Sequence, residues 1–188
     1  MVKQYILNTL AYDKTLTPFI YLGSEQFVHH SLDIPGIGSI AFGGYIDRVD
    51  IIQDRLRLID YKTGSPKDLH YTSMEKVFQQ NQHNEKALQT LLYCWMMSHS
   101  SFPFLQRAQQ IEPHLYYLRN MSDPSQVSTQ VCKIKKEDFC FTPEVEQEFT
   151  EFLTKLIQEI FNPEVRIEPT TEQKTTCEYC AYSELCKR

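Results

Sequence analysis

Long apolar runs are missing from this 188-residue chain. The densest stretch, Ala87 to Met97, is broken by Gln89 and Thr90, and nothing approaches the ~20 consecutive apolar residues of a bilayer-spanning helix. The N-terminal MVKQYILNTLAYD has neither the apolar centre nor the small-residue cleavage site of a secretory signal, so the chain reads as cytoplasmic, with no membrane partner. Positive charge is also in deficit: 19 Lys and Arg stand against 24 Asp and Glu, a net charge of -5. That excludes a histone-like basic coat. A nucleic acid would have to be met by a local patch or through metal ions. There is no internal repeat and no low-complexity tract. Cysteine is absent before Cys94, and the six present read as metal ligands or buried thiols rather than disulfides.

What is present suffices for a core. Apolar residues make up 41%, with 11 Phe and 11 Tyr, and the length suits a single domain over 1–188, with residues 170–188 as its cysteine-bearing tail. Phe19 to Val28 and Gly38 to Ile52 are rich in β-branched and aromatic residues and read as strands. Arg55 to Lys62 (RLRLIDYK) alternates and reads as a third, stopped by Gly64-Ser65-Pro66. Asn84 to Met97 is helical, with Leu88, Leu91, Leu92, Trp95 and Met96 on one stripe. His114 to Leu118 is a short strand, and Ser122 to Gln130 an exposed loop. Thr142-Pro143 caps and opens a last helix, which should stop before Asn162-Pro163. The order β-β-β-α-β-α predicts an α+β, or mixed α/β, domain. No clear helix bearing a Glu or His is expected ahead of the first strand.

The chemistry concentrates in Gly43 to Gly64, GGYIDRVDIIQDRLRLIDYKTG. For a hairpin turning at Gln53-Asp54, directly opposed residues have numbers that sum to 107. Asp47 then faces Asp60, Lys62 faces Tyr45, and Asp47, Asp60 and Lys62 project to one side. Opposed carboxylates repel unless one is protonated or a cation lies between them. Lys62 supplies one positive charge and a hard divalent ion would supply more, taking carboxylate, water and phosphate oxygens. This is a layout for phosphodiester hydrolysis. A solvated hairpin face with a cross-strand salt bridge would show the same spacing.

GGYIDRVD, then LIDYKTG, then Gln89-x-x-x-Tyr93 on the following helix resemble, in that order, the PD-(D/E)XK nuclease superfamily, in particular its RecB/AddB-like exonuclease branch. The resemblance spans Phe19 to the C-terminus. It implies a restriction-endonuclease-like core, with a central mixed sheet flanked by helices, and a DNA nuclease working with Mg²⁺ or Mn²⁺ in repair and recombination, with a helicase domain or subunit as a candidate partner. It also implies roles. Asp47 and Asp60 bind metal, the Tyr61 carbonyl completes the coordination, Lys62 is the catalytic lysine, and Gln89 and Tyr93 steady the site and contact DNA. Active relatives carry a helix before the first strand whose Glu or His adds to the metal site. No such residue is evident here: Glu25 reads as a strand residue, and His29 and His30 as a loop feature.

The tail, CEYCAYSELC, places Cys177, Cys180 and Cys186 within ten residues as C-x2-C-x5-C. Zinc sites and iron–sulfur clusters both want four ligands, and no His lies close by. In AddB-like and CRISPR-associated nucleases of the same superfamily, three such cysteines join a distant upstream cysteine to hold a [4Fe-4S] cluster. That partner is missing here, and Cys94, Cys132 and Cys140 read as core or structural. A chain cut from the C-terminal part of a longer polypeptide would account for both gaps. Two other readings are a module that kept the fold and lost catalysis, and a CRISPR adaptation-type exonuclease.

Overall fold

The computed structural model describes residues 1–65, 71, 73–79, 84–124, 127, 129, 139–166, 177 and 180–185. Four strands form one sheet in the order β1-β2-β3-β4: Ile20–Ile34, Gly38–Ile52, Arg55–Lys62 and Gln110–Tyr117. The first three are antiparallel and β4 lies parallel to β3. Helices are α1 (Val2–Thr15), α2 (Met74–Phe78), α3 (Glu85–Ser98) and α4 (Pro143–Phe161), with short 3₁₀ turns at Leu105–Arg107 and Leu118–Asn120. The expected fold class, a mixed sheet flanked by helices, is borne out.

β2, β3 and α4 fall within the expected bounds, because their signals are local. Thr142 caps α4, accepting from the Val145 amide through its hydroxyl, with Pro143 next. Asn84 stands at the N-cap of α3 but does not cap it. Its amide turns back to the carbonyls of Lys76, Val77 and Gln79, tying α3 to the end of α2.

β1 runs on to Ile34 because the pairing with β2 continues to Ile34↔Gly38. The tight turn between them uses Gly36 and Gly38 at φ 81° and 108°, where a side chain would be strained. His29 and His30 are therefore strand residues and not part of a loop. β4 is longer than expected and contains Pro113, which an edge strand tolerates. Ile111 O and Leu115 N bond outward, to Phe141 N and Thr129 O, so the N–H that Pro113 lacks would also have pointed away from β3. Thr129 is buried against His114, which corrects the expectation of a wholly exposed loop at Ser122–Gln130.

The expected order, which opens on a strand, is corrected by α1, a helix that carries neither Glu nor His. Ile6, Leu7 and Leu10 lie at the surface and only Tyr12 and Asp13 are buried, so the segment lacks the apolar stripe by which a packed helix is read. The main core lies on the other side of the sheet. It is built from Val28, Ile46, Val49, Ile51, Leu56 and Leu58 against Leu91, Trp95, Phe149 and Leu153.

Candidate active site

β2 changes the side it turns toward the core, and Asp47 sits at the change. Up to Ile46 the even-numbered residues face α3. Phe42 meets Trp95 edge-on at 5.5 Å, Gly44 lies under Tyr93, and Ile46 is fully buried. Beyond it, Val49 and Ile51 join the same core, while Arg48 bonds Asp13 of α1. Opposite Asp47, in the register set by Ser24↔Arg48 and Gln26↔Ile46, stands Glu25 at φ 50°. Simple alternation would put Tyr45 beside Asp47, but Tyr45 is an exposed residue whose ring lies tilted against Phe27 at 5.0 Å.

The hairpin turns at Gln53-Asp54 as expected. Pairs Ile52↔Arg55 through Arg48↔Ile59 all sum to 107. The ladder stops there, with Asp47 and Asp60 the next positions. In its place the Tyr61 amide donates to Asp47 Oδ2 at 2.7 Å. Among the described residues, the second Asp47 oxygen has no hydrogen-bond donor. Lys62 Nζ lies 2.7 Å from Asp60 Oδ2, off the direction of a hydrogen bond, and that buried oxygen has no hydrogen-bond partner among the described residues. Burial pushes the Asp60 carboxyl above its usual range. Lys62 pulls against this, Asp47 adds to it, and Lys86 weakly opposes it.

The orientation of Gln89 follows from its neighbours. Lys62 can only donate, so the Gln89 oxygen faces it, at 3.1 Å. The Gln89 amide nitrogen then donates to the Tyr93 hydroxyl at 3.0 Å. That hydroxyl accepts, so its own proton is directed elsewhere. A Cβ on Gly44 would stand 2.7 Å from Tyr93 Cε1, so the second glycine of GGYIDRVD makes room for this ring. Asp47, Asp60, Lys62, Gln89 and Tyr93 are thus brought together.

No group of three or more His, Cys, Asp or Glu side chains converges as a metal site among the described residues. Mg²⁺ does not require one: it takes one or two carboxylates and fills its octahedron with carbonyl, water and phosphate oxygens. Asp47 with an oxygen to which no described residue donates, Asp60 with an orphaned one and the Tyr61 carbonyl fit that donor set. The α1 acid does not join it. Asp13 is buried in an ion pair with Arg48 at 2.5 Å, toward α1.

The sequence reading missed Lys86. It stands three residues before Gln89 and so on the same face of α3, a signal the sequence did carry.

The tail is only partly described, since Cys186 and Cys132 lie outside the described residues. The Cys180 amide donates to Cys177 O at 3.2 Å in a tight turn. Cys94 is buried in α3, and Cys140 Sγ lies 3.2 Å from Gln110 Oε1. The described residues do not complete a four-ligand cluster.

Among solved structures the chain is similar to the crystal structure of SSO0001. The two share 15% identity over 96% of this chain and 67% of that one, with a TM-score of 0.40, too loose a likeness to carry an argument about the site. No curated protein matches the chain. The family model for the PD-(D/E)XK nuclease superfamily matches residues 1–187, and the chain therefore belongs to that superfamily, whose members are generally nucleases and so hydrolases.

Proposed function

We propose that the chain is a divalent-metal-dependent deoxyribonuclease of the RecB/AddB-like exonuclease type, acting in DNA repair and recombination. The observation that carries the reading is the Asp47–Asp60–Lys62–Gln89–Tyr93 constellation, formed where the β2–β3 ladder ends. PD-(D/E)XK nucleases typically use Mg²⁺ or Mn²⁺. Asp47, Asp60 and the Tyr61 carbonyl would hold the ion, which when bound supplies Lewis-acid polarisation of the phosphoryl oxygen.

The remaining chemistry falls to the protein's own groups. Lys62, steadied by Asp60 and the Gln89 oxygen, presents an ammonium proton to the attacking water or to a phosphoryl oxygen. Gln89 keeps that ammonium in place because Tyr93 fixes which end of its amide faces Lys62. The free Tyr93 hydroxyl proton is a donor for a substrate phosphate. Burial raises the Asp60 carboxyl above its usual range, and a bound cation would favour its ionised form. Cys177, Cys180 and Cys186 remain, in this reading, three of four cluster ligands that a longer polypeptide would complete. A helicase domain or subunit would be supplied from outside this chain.

The test is hydrolysis of labelled DNA by the purified chain with and without Mg²⁺ or Mn²⁺. Asp60→Asn and Lys62→Ala should each lower the rate by ~10²-fold or more, the scale for losing one electrostatic contributor. Near-normal cleavage by either variant overturns the assignment. Calorimetry that finds no divalent-ion binding would favour a module that kept the fold without catalysis.

A further inference from the structure

Lys86 and Lys62 approach the site from different elements and are held differently. Lys62 Nζ is engaged by Asp60 and by the Gln89 oxygen, at 2.7 and 3.1 Å. Lys86 Nζ lies 5.4 Å from the centroid of the Tyr117 ring, and Tyr117 is the β4 residue paired with Lys62. The same nitrogen is 3.9 Å from where a Cβ on Gly64 would stand. It therefore sits over the end of the strand that carries Asp60 and Lys62. None of the ion pairs among the described residues includes Lys86.

An ammonium that is half-buried, held by a ring face and outside ion-pair distance of any carboxylate among the described residues is poised for an anion. The chain's net charge of -5 gives a polyanionic strand no general attraction, so its phosphates must find local cations. Lys62 is committed beside the carboxylate pair. Lys86, on a flexible four-carbon stem, is the cation left over one helical turn from Gln89.

We propose that Lys86 binds a phosphate of the substrate strand adjoining the scissile one, and so sets where the strand lies across the site. The proposal rests on the nuclease reading of the same centre. Lys86 contributes to substrate binding and not to the bond-breaking step, which remains with Lys62 and the carboxylates.

The experiment uses the full chain with Mg²⁺ and two substrates: a fluorescein-labelled oligothymidylate, and thymidine 5′-p-nitrophenyl phosphate, a diester with no adjoining phosphate. Lys86→Met keeps the stem and removes the charge. It should raise KM on the oligonucleotide by roughly tenfold or more, the scale of one hydrogen bond to a charged group, with a much smaller loss on the short diester. The dependence of log KM on log salt should become shallower by about 0.7, as for one phosphate contact to a single strand. Lys86→Arg should recover most of the affinity. Equal losses on both substrates, an unchanged salt slope or no recovery by Arg would each overturn the proposal. If the parent chain hydrolyses neither substrate, the nuclease reading falls and the Lys86 assignment with it. If the parent is active on both and Lys86→Met matches it on the oligonucleotide, only the Lys86 assignment falls.

Discussion

On the α1 side of β2 and β3, Arg57 reaches both oxygens of Asp50, at 2.6 and 2.8 Å, and Arg48 sits between Asp50 and Asp13 at 2.7 and 2.5 Å. Toward α3, a residue or two away along the same strands, Asp47 has no cation within ion-pair distance among the described residues, and Lys86 has no carboxylate. The count of charges nearly balances on both sides; what differs is how completely they pair, since toward α3 Lys62 meets Asp60 at 2.7 Å while Asp47 and Lys86 stay outside ion-pair distance of an opposite charge among the described residues. The planar Arg57 guanidinium matches the Asp50 carboxylate at both oxygens and fixes the strands, while Arg48 bridges Asp50 and Asp13 less completely, its Nε and Nη2 and Asp13 Oδ1 lacking hydrogen-bond partners among the described residues. Charges held apart keep their capacity for something else, a metal ion at the carboxylates and a phosphate at the lysine. The Tyr116 hydroxyl also accepts from Arg57, at 3.1 Å, so the paired side is braced to β4 as well.

The largest expected effect sets the two sides against each other. Arg57→Ala leaves the fully buried Asp50 without its bidentate partner and should destabilise the fold by about 3–5 kcal/mol. Asp60→Asn should leave the metal-free chain as stable or more stable at neutral pH. Asp60 has a raised carboxyl, so it contributes no penalty below its ordinary value of 3.8, and the penalty grows as pH rises through the raised one. Urea unfolding of both variants gives the comparison directly, and equal destabilisation would erase the distinction between the two sides.

A smaller effect is expected at Gly44. The methyl of Gly44→Ala would collide with Tyr93, and shifting that ring should unseat Gln89 and loosen Lys62. Displacements of this size commonly reduce turnover by ~10- to 10²-fold, here with little change in Tm. Gly43→Ala is the control, because its Cβ would meet the exposed Phe27 ring at 3.3 Å and His29 Cβ at 3.7 Å, and not Tyr93. Similar activities for the two variants would remove Tyr93 from the site.

The smallest effect concerns acid. His114 is buried between Glu112 and Thr129 on the α1 side and burial lowers its pKa. The unfolded chain therefore takes up the proton first, and stability falls as pH drops below the ordinary histidine value of 6.5. His114→Gln should flatten that decline, as read from unfolding at pH 7 and 5. An unchanged slope would mean that His114 does not set the acid sensitivity of this side.

Much of the centre was legible in the sequence because its signals are local. RLRLIDYK alternates, and Gln53-Asp54 left room for a two-residue turn, so the register followed by arithmetic. The helical spacing of Gln89 and Tyr93 put them on one face. The same reasoning failed where tertiary context decides. Alternation placed Tyr45 with Asp47, and the reversal at Asp47, opposite the left-handed Glu25, separated them. Helix α1 was missed because two buried residues, Tyr12 and Asp13, leave no stripe to read. His29 and His30 were taken for a loop because their strand status depends on pairing with Gly43 and Phe42 across the sheet.

Local sequence settled the β2–β3 register, the caps and stripe of α4, and which carboxylates and lysine share a hairpin, since each depends on residues close to one another along the chain. Only the tertiary structure decided which charges meet. The partnership of Asp13 with Arg48 spans 35 residues, the Lys62–Gln89 bond 27 and the Arg57–Tyr116 bond 59. Whether an ion pair closes depends on where packing brings its two ends, and no local pattern records that.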